Sequence, residues 1–301
     1  MTRVSRRSFV EMIAALAPAL RTASGQAAPD LSVQPLGDGL ALLSGAGGNI
    51  AVLRGADGLL LVDSGLAPLA AALEARLRAM APLTVKVLIN THYHSDHTGA
   101  NLNFGRAGAR IIAHENTLRR LSTVQHSAAL DRDTQPLAAE ARPNAPFADS
   151  GALIYAGESV SYRHLPPAHT DGDTTVRFEK AGVYHTGDLF FNGIYPFIDY
   201  PAGGSIERMI AAAGIILDSV DGSTRIIPGH GPLAGRSDLR AFRDMLSGVA
   251  ERITRLQQQG KTLEEAQAAE PTKPWDAKWG GGFMKPAQFV KLIWDGRAGR
   301  G

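Results

Sequence analysis

Residues 91–97 read Thr-His-Tyr-His-Ser-Asp-His, so that three histidines and one aspartate fall within six residues. Imidazole and carboxylate groups are ligands that suit zinc, and a catalytic zinc site keeps one position open for water. Three further residues of ligand type stand in short turns downstream, at His169, Asp188 and His230. A polar turn rich in histidine would explain one such residue, but seven of them favour a metal site.

Short apolar segments that alternate with turns predict strands along most of the chain. The predicted strands are residues 40–43, 50–54, 59–62, 85–89, 110–113, 160–165, 175–178, 183–186 and 225–227. Four of these segments run directly into His92, His169, Asp188 and His230. Loops that leave the same edge of a sheet can converge, so we expect these side chains to form one site held by rigid strands.

Helices are predicted from apolar side chains at helical spacing. One covers residues 68–80 with Pro68 in its first turn, and Ser205 caps a second. After residue 236 the pattern is helical: Ser237 is predicted to cap one helix, residues 262–265 form a capping box that opens the next, and residues 286–295 form the last. We expect residues 237–301 to be an extension packed on the rest as a structural cap, with a substrate-specificity element or a dimer contact as alternatives.

The ligand-type residues resemble the metal-binding motifs of the metallo-β-lactamase superfamily, in type and in order. The motif H-x-H-x-D-H of that superfamily is followed by a His, by an Asp or Cys, and by a last His. The matching residues here are His92, His94, Asp96, His97, His169, Asp188 and His230. An earlier aspartate that ends an apolar strand in the family matches Asp63, and the resemblance covers residues from about 31 to about 240.

The resemblance implies an α/β fold, the αββα sandwich of two mixed sheets packed face to face with helices outside. The hydrolase domain would span residues 29–236, in two similar halves that divide near residues 131–150. That polar segment carries few apolar residues and is predicted to be a loop. A linker between the halves is favoured over a flap that covers the site.

The resemblance also implies two zinc ions. His92, His94 and His169 would hold the first, Asp96, His97 and His230 the second, and Asp188 would bridge them or complete the second site. Two metals a few ångströms apart lower the pKa of a shared water to about 7 and polarise a carbonyl group. Asp96 would act as the catalytic residue that orients the resulting hydroxide and carries its proton.

Other residues near these motifs have weaker assignments. Asp63, Thr170 and Asp173 are candidates for orienting the ligands, with turn and cap chemistry an equal alternative. The aromatic segment 189–197 is a candidate wall of the substrate pocket, in which Phe191 and Tyr195 would contact the substrate. Buried aromatic packing is the alternative. The remaining histidines, His114, His126, His164 and His185, are predicted to be structural or surface residues.

The first 28 residues have the layout of a bacterial twin-arginine export signal, with Arg6 and Arg7 before an apolar run and small residues at 27–28. We therefore expect a periplasmic protein with no membrane insertion after signal removal. Without this segment the chain has 27 basic and 28 acidic residues, a net charge of −1, which gives no electrostatic reason to bind nucleic acid. The absence of cysteine excludes a thiolate ligand and suits an oxidising compartment.

Within the superfamily, the resemblance favours hydrolases. Redox members with a di-iron site carry glutamate where this chain has His94, and the cysteine-containing β-lactamases carry a thiolate where it has Asp188. Asp188 is similar to the bridging aspartate of glyoxalase II, the lactonases and RNase Z. We therefore expect an exported dinuclear zinc hydrolase that cleaves a small cyclic amide, lactone or ester. The alternatives are a glyoxalase-II-like thioesterase and a non-enzymatic periplasmic zinc-binding protein.

Overall fold

The computed structural model describes residues 31–127 and 132–298, so the predicted export signal at residues 1–28 lies outside the described residues. The strands within these ranges are, in chain order, β1 Ser32–Gly37, β2 Leu40–Ser44, β3 Ile50–Arg54, β4 Leu59–Val62, β5 Val85–Ile89, β6 Arg110–His114, β7 Gln125–Ser127, β8 Arg132–Thr134, β9 Ala145–Phe147, β10 Ser150–Tyr155, β11 Glu158–His164, β12 Thr174–Phe178, β13 Val183–His185 and β14 Arg225–Ile227. The helices are α1 Ala70–Met80, α2 Ser95–Thr98, α3 Asn101–Arg106, α4 Glu115–Leu121, α5 Ile206–Ser219, α6 Arg236–Gln258, α7 Leu263–Ala268, α8 Lys273–Trp279 and α9 Pro286–Ala298.

Two mixed sheets form the centre of the molecule. The first has seven strands in the order β1-β2-β3-β4-β5-β6-β9, and the second has five in the order β10-β11-β12-β13-β14. Strands β4, β5, β6 and β9 are parallel neighbours, as are β13 and β14, and the other neighbours in the two sheets are antiparallel. This arrangement confirms the predicted α/β sandwich, and each of the nine predicted strands corresponds to an observed one.

The main core lies between the two sheets. Leu60 and Ile89 of the first sheet belong to the same cluster of buried side chains as Val160 and Ile227 of the second. Successive side chains of a strand point to opposite faces, so Leu61 packs on the outer side, in the cluster that includes helix α1. All four residues of β4 are therefore buried, which explains why this strand reads as a continuous apolar run.

The helices cover the outer faces. Ser205 caps α5 as predicted, because its Oγ accepts the backbone N–H of Arg208 at 3.2 Å. The prediction that Ser237 caps α6 is wrong: the helix begins at Arg236, and the Asp238 carboxylate accepts the N–H of Gly235 at 3.1 Å. None of the helices within the described ranges is long and apolar enough to cross a membrane.

The C-terminal helices share a core with the second half of the sandwich. Phe242 of α6 packs against Phe190 and against Trp279 of α8, and Phe289 of α9 belongs to the same buried cluster. The short helix α8 was not predicted from the sequence. It lies directly before the glycine-rich segment 280–282.

The segment 131–150 is more ordered than a plain loop, so that prediction is corrected. Its described part contains β8, a 3-10 turn at Ala139–Ala141, and β9, which pairs with β6. Strand β9 has three residues and includes Pro146, which removes a backbone donor and is tolerated at the edge of a sheet. A strand this short carries too little alternation to be recognised by its pattern.

Candidate metal centre

All seven predicted ligands lie at one edge of the sandwich. The segment Thr91–His97 follows β5, and His169, Asp188 and His230 lie in the loops after β11, β13 and β14. Because β13 and β14 are parallel neighbours, the loops that leave them start side by side. The geometry therefore brings together residues that are up to 138 positions apart in the sequence.

The ligand side chains form two groups. His92, His94, His169 and Asp188 make the first, and Asp96, His97 and His230 make the second. Within each group the candidate ligand atoms lie within 4.8 Å of one another. The two sets of three residues are those expected from the sequence, but Asp188, expected to bridge the sites or complete the second, falls in the first group; ligation by these residues stays a prediction.

Asp188 lies between the two groups. Its Oδ1 is 3.1 Å from His97 Nε2 in the second group, and its Oδ2 is 3.5 Å from His169 Nε2 in the first. Oδ2 is also 3.5 Å from His230 Nε2. Because one carboxylate reaches imidazoles of both groups, its position is that of a bridging ligand.

The donor atoms fit a bound cation. His92 Nδ1 donates to Thr91 Oγ1 at 3.0 Å, which leaves His92 Nε2 as the acceptor atom of the ring. That Nε2 is buried and has no hydrogen-bond partner, a costly state for a polar atom. The backbone leaves space for the carboxylate as well, since a Cβ at Gly229 would stand 1.9 Å from Asp188 Oδ1. A metal ion would supply the missing partner.

The two groups differ in their protonation. Burial lowers the pKa of His92, and lowers that of His169 to about 4, so both rings are neutral at pH 7. Burial also opposes protonation of His230, but the Asp188 and Asp96 carboxylates outweigh it and raise the pKa of His230 to about 9. For the same reason the pKa of His97 is raised well above its usual value, chiefly by Asp188. Without metal, the second group therefore holds protons where a cation would bind.

Asp63 contacts His97, one of the candidate ligands, and also the turn at Thr91. Its carboxylate accepts hydrogen bonds from the backbone N–H and the hydroxyl of Thr91 and from His97 Nδ1, each at 2.8 Å. This contact turns His97 Nε2 toward the second group. Gly48 packs on the same ring, because a Cβ there would lie 2.2 Å from His97 Cε1. The sequence analysis missed Gly48.

Asp173 and Thr170 fix the loop that carries His169. The Asp173 carboxylate accepts the backbone N–H groups of Ala168, His169 and Thr170, and the Thr170 hydroxyl at 2.6 Å. Burial nevertheless raises the pKa of Asp173 to about 7 against these hydrogen bonds. Asp173 and Thr170 therefore stabilise the turn of this loop, which is the alternative role given for them. By fixing the loop backbone they also position His169.

Asp199 is a residue of this site that the sequence analysis missed. Its Oδ2 accepts from His94 Nε2 at 2.9 Å and from the Tyr93 hydroxyl through a short hydrogen bond. Burial raises the pKa of this carboxyl, but the hydrogen bond and charge of His94 outweigh that effect and hold it well below its usual value. Asp199 follows no strand, so no local pattern pointed to it.

The structure contradicts the assignment of Tyr195 as a substrate contact. Its side chain is fully buried, and its hydroxyl donates to Asp276 Oδ1 at 2.9 Å and lies 3.2 Å from Thr272 O. Phe191 is also buried and stacks on the ring of His230 with centroids 5.2 Å apart, so it supports a ligand and does not reach a substrate. Both corrections follow from buried aromatic packing, the alternative considered for this segment.

The other four histidines lie outside the two groups. His185 is buried, where its Nδ1 accepts the N–H of Gly187 and its Nε2 donates to Asn49 O. His114 and His164 stack on each other with ring centroids 3.7 Å apart, and His126 is exposed beside Asp133. These positions agree with structural and surface roles.

Comparison with known proteins gives a family match. A family model described as the metallo-beta-lactamase superfamily matches residues 43–238, which is more than half of the chain. A metallo-beta-lactamase from Pontibacter korlensis has a similar structure, with a TM-score of 0.59 and 18% identity over 72% of this chain and 99% of that one. The DIM-1 metallo-beta-lactamase gives a TM-score of 0.58 and 15% identity, over 73% of this chain and 98% of that one.

A third solved structure extends over more of this chain. The stereoselective inverting sec-alkylsulfatase Pisa1 from Pseudomonas sp. gives a TM-score of 0.64 and 16% identity, over 88% of this chain and 50% of that one. This chain therefore corresponds to about half of the alkylsulfatase. At such low identities, the three structures show a shared fold.

Proposed function

The chain belongs to the metallo-beta-lactamase superfamily, whose homologues are metal-dependent hydrolases, and on this premise we propose that it is a dinuclear zinc hydrolase. Its substrate would be a small molecule with a carboxylic ester, lactone or cyclic amide bond. The observation that carries the proposal is the complete set of seven ligand-type side chains in two groups, with Asp188 within reach of both. The donors are imidazole nitrogens and carboxylate oxygens, a set that suits zinc.

The residues of the chain have separate tasks in this reaction. A bound metal pair would lower the pKa of a water and polarise the substrate carbonyl. Burial raises the pKa of Asp96, but His97 and His230 outweigh it, so the carboxylate is ionised at neutral pH. Its Oδ2 lies 3.2 Å from His230 Nε2. We assign Asp96 to orient the attacking water, accept its proton and return that proton to the leaving group.

Metal analysis combined with a substrate panel tests the proposal. Purified protein should carry close to two zinc ions per chain, and chelation should abolish turnover that added zinc restores. The panel contains a chromogenic cephalosporin, a simple lactone, a carboxylic ester and, because of the alkylsulfatase match, a secondary alkyl sulfate. His92→Ala should lose metal, whereas the control His126→Ala changes an exposed histidine and should keep it. One metal per chain, iron as the main metal, or turnover that survives chelation would contradict the proposal.

We also propose that the protein is exported to the periplasm through a twin-arginine signal at residues 1–28. The motif around Arg6 and Arg7 supports this proposal. Replacing both arginines with lysine should leave precursor in the cytoplasm, as seen by fractionation and by the mass of the N-terminus. Unchanged export of that variant would contradict the twin-arginine route.

For the mature chain we propose a hydrolase domain at residues 29–236 and a C-terminal helical extension at 237–301 packed on it. The aromatic contact of Phe242 with Phe190 and the hydrogen bond from the Tyr195 N–H to Trp279 O support a tightly packed extension. Expression of residues 29–236 alone should give a less stable protein, because the apolar surface that meets α6 would be exposed. Equal thermal stability of the shortened chain would contradict this packing role.

A further inference from the structure

The exposed ligands mark the side from which a substrate reaches the metal centre. The side chains of His94, Asp96 and His230 are 19%, 16% and 9% exposed. Those of His92, His97 and His169 are at most 1% exposed. A substrate therefore approaches over His94 of the first group and over Asp96 and His230 of the second.

Two partly exposed aromatic rings flank this side. The ring centroid of Phe197 lies 5.9 Å from that of His94 and 6.2 Å from that of His169. The centroid of Phe283 lies 6.2 Å from that of His230. His94 and His230 thus each have one partly exposed phenylalanine beside them, and these two phenylalanines come from segments about 86 residues apart.

The position of Phe197 is fixed by the site itself. Its backbone carbonyl accepts a hydrogen bond from His169 Nδ1 at 3.0 Å, which ties the residue to a ligand of the first group. Two residues further along, Asp199 contacts His94. The backbone that carries Phe197 is therefore held on both sides by the metal ligands.

The position of Phe283 is fixed by Tyr195, the residue first assigned to the substrate. The Tyr195 N–H donates to Trp279 O at 2.9 Å, its hydroxyl donates to Asp276, and its ring stacks on Phe289 at 4.6 Å. Gly282 then packs directly on the preceding loop, since a Cβ there would lie 2.5 Å from Ile194 Cγ2. The C-terminal extension is thus held against the aromatic loop and presents Phe283 beside His230.

A cleft that reaches His230 is lined mainly by polar, uncharged side chains. It has a volume of about 420 Å³, and its lining includes Ser32, Gln34, Ser44 and Asn49. Apart from His230, none of the described residues that line it carries a titratable side chain. Apart from His230 and the metal it would hold, this cleft offers a substrate hydrogen-bonding groups and no charged side chain.

We propose that Phe197 and Phe283 form an apolar subsite that binds the hydrocarbon part of an uncharged ester or lactone. The inference rests on the proposed function for the bond that is cleaved, and it adds the substrate class and a role for the C-terminal extension. Phe197 lies beside the first group and Phe283 beside the second, so each ring would flank a substrate whose reacting carbonyl is held between the two groups. Phe283 is then a specificity-determining residue supplied by residues outside the core sandwich.

A series of 4-nitrophenyl esters from acetate to octanoate tests the subsite in the zinc-loaded protein. Full burial of one methylene is worth about fourfold in binding, so a half-buried chain should raise kcat/KM about twofold per methylene. Phe283→Ala should lower the octanoate-to-acetate ratio of kcat/KM by about tenfold, and Phe197→Ala should act in the same direction. Phe283→Leu keeps an apolar side chain and should retain most of the ratio. Trp294→Ala is the matched control, because it removes a partly buried ring of the same extension that packs on the helical core.

Calorimetry with 2-decanone, an uncharged ketone that is not hydrolysed, separates the subsite from the reaction. Wild-type protein should bind it more tightly than Phe283→Ala does, with equal zinc content in the two proteins. If no ester is turned over but the ketone binding depends on Phe283, the proposed function fails and the subsite stands. If ester turnover depends on zinc but the chain-length ratio is the same in wild type, Phe283→Ala and Trp294→Ala, the subsite is wrong and the proposed function stands.

Discussion

At the scale of single residues, Asp199 controls the orientation of one metal ligand. His94 has two ring nitrogens, and its Nδ1 lies 2.9 Å from His169 Nε2 within the first ligand group. The other nitrogen donates to Asp199 at 2.9 Å, which fixes both the tautomer and the angle of the ring. A carboxylate that accepts from the second nitrogen of a ligating histidine also makes that histidine a better ligand.

We expect Asp199→Asn to weaken metal binding at the first group by about ten- to hundredfold, the usual cost of losing such a partner. Competition with a chromogenic chelator measures the affinity directly. Tyr93→Phe removes one of the two side-chain hydrogen bonds to Asp199 and keeps the carboxylate, so its effect should be smaller. Equal affinities for wild type and Asp199→Asn would show that the contact plays no part in holding the ligand.

Substitution of Asp188 should affect the two ligand groups unequally. Its closest contact is with His97 in the second group, at 3.1 Å, and its contact with His169 in the first is longer, at 3.5 Å. Asp188→Asn should therefore lower occupancy of the second group more than that of the first. Titration with cobalt, followed by its absorption spectrum, would distinguish the two sites. Asp133→Asn is a matched control on an exposed carboxylate. Unchanged metal affinity at both sites would show that Asp188 does not bridge them.

The ligand residues could be predicted from the sequence because their types and order carry the information. The spacing of His92, His94, Asp96 and His97 is local, and the later ligands each follow a strand. Asp199 and Gly48 carry no such signal. Asp199 meets His94 across 105 positions, and Gly48 touches His97 only because two loops meet at the sheet edge. Contacts of this kind depend on tertiary packing, which no local pattern records.

At the scale of elements, buried strands were predicted better than edge strands. The interior strands β3, β4 and β5 have the bounds that their apolar runs predict, and so does β14, which lies at the end of its sheet but has two of its three residues buried. Strands β1 and β10 were missed, and each lies at the end of its sheet with a largely exposed or half-buried pattern. An edge strand has one neighbour and fewer buried positions, so its side chains alternate less clearly in hydrophobicity.

The connection between the aromatic loop and the C-terminal helices depends on Tyr195. Its hydroxyl lies inside the protein, and its pKa is raised by burial and by the hydrogen bond to Asp276. Tyr195→Phe leaves the buried Asp276 contact unmade, which should lower the free energy of unfolding by about 1–3 kcal/mol. Metal content should be unchanged, since the hydrogen-bond and ring partners of Tyr195 are Thr272, Asp276, Trp279 and Phe289, and none of these is a candidate ligand.

Urea denaturation of Tyr195→Phe, Asp276→Ala and the double variant measures this coupling. If the hydroxyl and the carboxylate act together, the double variant should lose less stability than the two single losses combined. Additive losses would mean that the two groups stabilise the fold separately.

At the scale of the whole molecule, the two sheets meet in a pair of histidines. His114 ends β6 of the first sheet and His164 ends β11 of the second, and their rings stack at an interplanar angle of 14°. Burial lowers the pKa of both, and the charge of His114 lowers that of His164 further. Asp149 and Asp171 favour protonation of both rings, but their effect is the weaker one.

The pair should make the fold sensitive to mild acid. A histidine whose pKa is lower in the folded state than the usual value of about 6.5 is favoured in its neutral form. Its contribution to stability is complete above that pH and is lost as the pH falls below it, because the unfolded chain then binds more protons. We therefore expect the Tm of the metal-free protein to fall from about pH 6.5 to pH 5.

His164→Gln isolates this effect, because glutamine keeps a donor for the Asp173 carbonyl and does not titrate. Measurements in chelator remove the contribution of metal loss, and the ligand histidines titrate in both proteins, so they cancel in the comparison. The fall in Tm toward pH 5 should be smaller in His164→Gln than in wild type, whereas the control His126→Gln, at an exposed site, should behave like wild type. Identical pH profiles for all three proteins would show that the stacked pair tolerates a proton between the sheets, and acid sensitivity would then belong to the metal ligands alone.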